Sequence, residues 1–237
     1  MSDAITVNVE RQSGLLRELS VIANNIANAS TDGYKRDAAI FAEYISTREN
    51  NPSVSIGALR AHYTDLAQGN LVQTGGTFDL AIDGDGWFAI AKNGELHLTR
   101  AGSFILDRNS ELVTPEGYPV LDESGKSIRI PEGASNIVVA TDGTVTADGF
   151  GVGQIGVLTT DSEGLSRAGD NLWTTTGAIR FAEFPQLRQG FVEASNVSAV
   201  EEMARLIEAQ RMYEAGAALQ TDEHERITQF IEALGGR

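Results

Sequence analysis

The sequence predicts an α+β fold in which N- and C-terminal helices build a discontinuous coiled-coil domain around an inserted all-β domain. Two observations carry this: both ends space their apolar residues three and four apart, and glycines and turn dipeptides crowd the middle. A third concerns length. The C-terminal stripe is far longer than a compact domain of this size needs, so it calls for a partner.

Taken in order, residues 1–35 carry the first helix. From Leu15 the apolar positions are Leu15, Leu19, Ile22, Ile26 and Ala29, which keep one helical face apolar. The polar run Asn28, Ser30 and Thr31 followed by Asp32-Gly33 predicts its end. Residues 36–69 hold Pro52, several serines and isolated Phe41, Tyr44, Ile56 and Leu59 with no sustained period, and are expected to be a connector in extended or irregular form.

The all-β domain is expected over residues 70–184. Of the 25 glycines, most fall from Gly69 to Gly177 among short runs of Val, Ile, Thr and Phe. Asn93-Gly94 separates Trp87–Ile90 from Leu96–Thr99, and Asp142-Gly143 separates Ile137–Ala140 from Thr144–Thr146. Both dipeptides favour the tight type I′ turn. Asp107-Arg108-Asn109-Ser110 is expected to close a third hairpin between Ser103–Leu106 and Leu112–Val113.

Residues 185–237 return to helix. Ser198-Ala199-Val200-Glu201 is a capping box, in which hydroxyl and carboxylate each satisfy a free backbone amide. The stripe then runs Met203, Leu206, Gln210, Tyr213, Ala217, Gln220, His224, Ile227, Ile231 and Leu234 up to Gly235-Gly236. At about 1.5 Å per residue such a helix spans on the order of 55 Å. Its partner within the chain is the N-terminal helix, and the surplus length points to neighbouring molecules. A plain helical hairpin capping its own β-domain is the simpler alternative.

Composition narrows the function. The chain has 33 acidic against 18 basic residues, a net charge of −15, which repels nucleic acid and anionic membrane surfaces and also keeps a protein soluble. Neither nucleic acid nor membrane insertion is expected, since no stretch approaches about 18 consecutive apolar residues. Without cysteine there is no thiolate chemistry and no disulfide. The first residues lack a basic and then apolar leader, so the expectation is a protein that stays in the cytoplasm or leaves without a cleaved signal peptide.

Three patterns hint at chemistry and fail. Gly151-Val152-Gly153-Gln154-Ile155-Gly156 has dinucleotide-loop spacing but lies between a turn and a strand instead of opening a helix. Asp79, Asp83 and Asp85 cluster near Gly84 and Gly86 without the later ligands of a calcium loop. His62, His97 and His224 share no ligand spacing. No catalytic residue, metal or cofactor is expected.

The run from Ala23 to Lys35, Ala-Asn-Asn-Ile-Ala-Asn-Ala-Ser-Thr-Asp-Gly-Tyr-Lys, resembles the N-terminal signature of flagellar rod and hook proteins. So do Leu80–Phe88, Thr99–Phe104, Gly117–Leu121, Gln189–Val197 and Glu201–Glu214, in the same order along the chain. The short length and single β-region set it with the rod members, apart from the larger hook subunit. The resemblance implies a structural protein whose terminal helices pair as a coiled coil inside a helical tube, with the β-domain outside. It implies other rod subunits, itself included, and the flagellar type III export apparatus as partners, and a place in the basal body. The assembly interface it nominates is Leu15, Leu19, Ile22, Asn25, Ile26, Asn28, Met203, Leu206, Gln210, Tyr213, Ala217, Ile227 and Ile231. An enzyme would instead need a pocket with converging polar groups, and a dimeric binding module a closed pair.

Overall fold

The computed structural model describes residues 2–46 and 54–235; the side chains of 2–9, 39–46, 54–62, 163, 223, 227, 230, 234 and 235 lie outside that description. The chain is mixed α+β and divides into two compact units. One takes residues 1–29, 36–66 and 197–237; the other takes 30–35 and 67–196.

In the first unit, α1 (Ser2–Ala27) and α2 (Ala199–Gly235) pack against each other. The segment expected to be a connector in extended or irregular form contains two long antiparallel strands, β1 (Asp37–Ser46) and β2 (Val54–Thr64), against which α1 also packs. Their sequences mix β-branched and aromatic residues such as Ile40, Phe41, Tyr44 and Ile56, which suit strand even where alternation is weak. A register shift between Ile40 and Phe41 marks a bulge.

The second unit is β-rich. Along the chain come β3 (Leu71–Gln73), β4 (Leu80–Ile82), β5 (Trp87–Lys92), β6 (Glu95–Thr99), β7 (Ile105–Leu106) and β8 (Leu112–Val113). Then follow β9 (Ile137–Val139), β10 (Thr144–Ala147), β11 (Phe150–Gln154), β12 (Val157–Thr160), β13 (Leu165–Gly169) and β14 (Leu172–Thr175). The last are β15 (Ile179–Phe181), β16 (Leu187–Gln189) and β17 (Phe191–Glu193). A six-stranded sheet runs β13-β14-β6-β5-β12-β15, and β9, β10 and β11 form a three-stranded sheet. The β16 and β17 strands pair with β4 and β3, so this unit extends past the residue 184 at which the sequence suggests it ends.

Its core gathers Leu80, Ile82, Phe88, Ile90, Phe104, Val120, Ile155 and Leu172 among others. Phe88 and Phe104 meet edge to face at 5.1 Å, the arrangement ring quadrupoles favour. The β5–β6 turn is the expected one, with both Asn93 and Gly94 at positive φ. The β9–β10 loop differs: only Gly143 has positive φ, and Ala140 N–H donates to Thr144 O at 2.9 Å. Thr141, Asp142 and Gly143 therefore make a three-residue loop in place of a type I′ turn.

Candidate assembly surface

The helices of the first unit run antiparallel, since Asn25 Nδ2 donates to Glu202 Oε2 at 3.1 Å while Glu18, two turns earlier, feels the charge of Glu208. Counting back 23 residues from Asn25 to Ser2 and forward 23 from Glu202 reaches residue 225. The end of α2 therefore runs about 15 Å past its partner.

The face α2 buries is centred on Glu202 and Ala209, each 1% exposed, with Leu206, Tyr213, Ala217 and Gln220 half-buried. Met203 and Gln210, one residue further round, are exposed. Ile231 follows Glu202 by 29 residues, close to eight turns, and so lies on the same face, yet it is 63% exposed. Ile227 belongs to α2 with its side chain outside the description. On α1, Leu15, Ile22 and Asn25 are buried, and Leu19, Ile26 and Asn28 are half-buried.

Polar groups fix this unit's geometry. The Asn25 amide bonds both backbone groups of Asp37, donating to its carbonyl at 2.7 Å and accepting its N–H at 3.0 Å, so a helix side chain acts as a strand partner for β1. Its neighbour Glu202 accepts from Arg36 Nε at 2.7 Å. Asn28 closes the helix by donating to Asn24 O at 2.9 Å. Each is a buried or half-buried polar group with its partner supplied, as a low dielectric demands.

Residues 30–35 belong wholly to the β-rich unit. The Asp32 carboxylate accepts from Ser103 Oγ at 2.8 Å and its carbonyl from Asn171 Nδ2 at 2.7 Å. Gly33 N–H donates to Glu193 O at 2.6 Å. Gly33 sits at φ +66°, and a Cβ there would lie 2.3 Å from Ala101 N, so only glycine fits. Arg167 lies 4.5 Å from the centres of both the Tyr34 and Trp173 rings and donates to Lys35 O.

Beneath this segment one carboxylate serves two cations. Glu193 Oε1 takes Lys35 Nζ at 2.5 Å and Gly69 N–H at 3.0 Å, while Oε2 takes Arg100 Nη1 at 3.1 Å. Lys35 also reaches Ala67 O at 2.9 Å and Arg100 reaches Gly84 O at 2.8 Å. Burial pulls the Arg100 pKa below the ordinary arginine value, and Glu193 opposes that shift. Lys35 and Arg36, adjacent in sequence, thus anchor in different units on Glu193 and Glu202.

The glycines, aspartates and histidines that hint at chemistry in the sequence hold other places in the fold. The glycines from 151 to 156 fall on β11 and the link to β12, with no helix for a phosphate to face; Gly156 is there because a Cβ would press on Leu121 O and Asp122 O at 3.0 Å. Asp79 accepts from Thr74 Oγ1 at 2.5 Å and Asp83 pairs with Arg188 at 2.6 Å. His97 is buried on β6 and His224 is exposed on α2; the His62 side chain lies outside the description. Among the described residues no cluster could hold a metal, and no helix is long and apolar enough to cross a membrane.

Residues 5–35 match the family described as flagella basal body rod protein, 81–147 the flagellar hook protein FlgE/F/G D1 domain, and 188–227 the flagellar basal body rod FlgEFG protein C-terminal region. A flagellar basal-body rod protein FlgF of Caulobacter vibrioides is 37% identical over 242 residues, covering 99% of each chain. One of the same name from Mesorhizobium japonicum is 35% identical over the full length of both. A flagellar basal-body rod protein FlgG of Bacillus subtilis is 33% identical over 90% of this chain and 92% of its own. The chain belongs to the flagellar basal-body rod protein family, whose members are structural proteins and not enzymes.

Proposed function

We propose that this rod subunit polymerises through α1 and α2, which act as a two-helix coiled coil whose unfinished end a neighbouring subunit completes. The observation that carries the proposal is Ile231, which lies on the face of α2 that Glu202 and Ala209 bury and is left 63% exposed past the end of α1. Exposed Leu219, Ile207 and Met203 add further apolar surface along the helix. On this reading Leu15, Leu19, Ile22, Asn25, Ile26 and Asn28, with Leu206, Tyr213 and Ala217, hold the helix pair together. Met203, Gln210, Ile227 and Ile231 meet neighbours.

Full-length alignment with FlgF proteins, against 83–90% coverage by the FlgG proteins, favours the proximal over the distal part of the rod. Resemblance to the family further suggests export by the flagellar type III apparatus to the periplasmic section of the basal body. Complementation tests both points. In strains lacking either the proximal or the distal rod protein, the full chain should restore motility only in the first, and a chain ending at residue 225 should restore neither. Restoration by the shortened chain would remove the overhang from the mechanism.

A further inference from the structure

We infer that the β-rich unit binds one buried water molecule beneath residues 32–35, held by Arg100 Nε, Trp173 Nε1 and Asn171 Oδ1. The site lies within that unit alone and owes nothing to the rod reading.

Among the described residues, these three are the side-chain polar atoms of the β-rich unit that are sealed from solvent without a hydrogen-bond partner. Trp173 is 2% exposed and Arg100 is 5% exposed. A polar group buried in this way gives up its hydration and gains nothing in return, so folded proteins rarely keep one. Three such groups in one place call for an occupant.

The fold sets them side by side. Trp173 of β14 pairs with Leu98 of β6, and the same antiparallel register, carried two residues further, sets Asn171 opposite Arg100. The Thr99 hydroxyl donates to Asn171 O at 3.0 Å. On the other side of β6, Phe88 pairs with Thr99, which brings Trp87 beside Arg100. The Trp87 ring centre lies 5.5 Å from the Arg100 guanidinium carbon and 5.6 Å from the Trp173 ring centre. Residues 32–35 cover the group: Asn171 Nδ2 donates to Asp32 O at 2.7 Å, and a Cβ on Gly33 would lie 2.3 Å from Arg100 C. Arg167 closes the cover at 4.5 Å from both the Tyr34 and Trp173 ring centres.

The donor and acceptor set identifies the ligand. Arg100 commits Nη1 to Glu193 at 3.1 Å and Nη2 to Gly84 O at 2.8 Å, which leaves Nε–H as its remaining donor. Asn171 commits Nδ2 to Asp32 O, and exchanging its two amide atoms would set oxygen against oxygen, so the remaining atom is an acceptor. Trp173 contributes a donor only. Two N–H donors and one neutral acceptor are what a single water satisfies, accepting from Arg100 and Trp173 and donating to Asn171; internal waters make about three hydrogen bonds. A metal cation would face a guanidinium and two N–H groups. An anion would face the Asn171 oxygen, where Glu193 already answers the charge of Arg100. The water thus ties Asn171, and through it the Asp32 carbonyl, to β6 and β14, and so helps to hold residues 32–35 on the sheet.

With two tryptophans in the chain, the nitrogen-15-labelled full-length protein gives two indole N–H signals, and Trp87→Phe identifies that of Trp173. Water-selective NOE and ROE spectra then show whether this proton lies beside a water that tumbles with the protein. The expected result is a cross-peak to water with opposite signs in the two spectra, which chemical exchange does not give. Thr99→Val removes the nearby hydroxyl as a relay, and the cross-peak should persist. Absence of the cross-peak in the unaltered chain would overturn the site, as would its loss in a folded Thr99→Val chain. A crystal structure of the full chain gives a second reading: an oxygen within about 3.2 Å of all three atoms is expected. Asn171 Oδ1 bonded directly to either donor, or three atoms with no density between them, would equally refute the bound water.

Discussion

Lys35 Nζ lies 2.5 Å from Glu193 Oε1 with both side chains 1% exposed, and Arg100 takes the second oxygen of the same carboxylate at 3.1 Å. One anion therefore holds two buried cations that are 65 residues apart in sequence. Glu193→Gln leaves both cations facing a neutral amide, and should destabilise the β-rich unit by about 3–5 kcal/mol. Lys35→Met should cost less, because Glu193 keeps Arg100. Trp87 and Trp173 are buried in this unit, so urea unfolding followed by tryptophan fluorescence reads the difference. Equal losses for the two variants would show that the carboxylate is not the hub.

Gly33 offers a sharper geometric test. At φ +66° with Ala101 N and Arg100 C both 2.3 Å from a would-be Cβ, it combines backbone strain with a clash against main chain. Gly33→Ala should cost roughly 2–5 kcal/mol, summing about 1–2 for the left-handed conformation and about 1–3 for overpacking. Gly94→Ala shares the positive φ, 82°, but has open space around it, and should show only the first part. The same fluorescence assay ranks them, and similar costs would mean the Gly33 turn shifts to make room.

What the sequence discloses and what it hides divides along range. The Asn93-Gly94 turn is readable because both residues and their conformational preference are local. Asp142-Gly143 reads the same way and folds otherwise, since Thr141 joins the loop and leaves only Gly143 at positive φ. The helical stripe is readable to within one residue. Three-and-four spacing counted from Met203 places Met203 and Gln210 on the stripe, whereas the buried positions are Glu202 and Ala209. Glu202 is drawn inward by Arg36, 166 residues away, and a carboxylate in an apolar seam has no periodic signal. Lys35 and Glu193 stand in segments that the resemblance already marks, but nothing local pairs them across 158 residues.

Glu18 makes the helix pair sensitive to pH. Burial, and secondly the charge of Glu208, raise its pKa above the ordinary glutamate value. The folded helix pair thus binds this proton more tightly than the unfolded chain does. Its contribution to stability is fully present below the unfolded pKa and is lost as pH rises through the folded one. Glu18→Gln should stabilise the helices at neutral pH and flatten their pH dependence just above the ordinary glutamate range. Thermal melts by far-ultraviolet circular dichroism at several pH values would check this, and an unchanged slope would put the titration elsewhere.

Asn25 couples α1 to its surroundings through three bonds at once: two to the backbone of Asp37 and one to Glu202. Asn25→Ala removes all three. The Asp37 N–H and carbonyl then lose the Asn25 amide at the first position of β1, while Glu202 keeps Arg36 at 2.7 Å. A lost hydrogen bond costs about 0.5–1.5 kcal/mol, and that loss should fall on the helical unit. Both tryptophans lie in the other unit, so helical melting should drop while the fluorescence transition stays in place. Hydrogen exchange sharpens the expectation: the Asp37 amide should lose protection in Asn25→Ala, but the Ala89 amide, bonded to Gly156 O within the β-rich unit, should not. If both transitions fall together, the two units unfold as one, and the effect of Asn25 reaches beyond the helices it visibly joins.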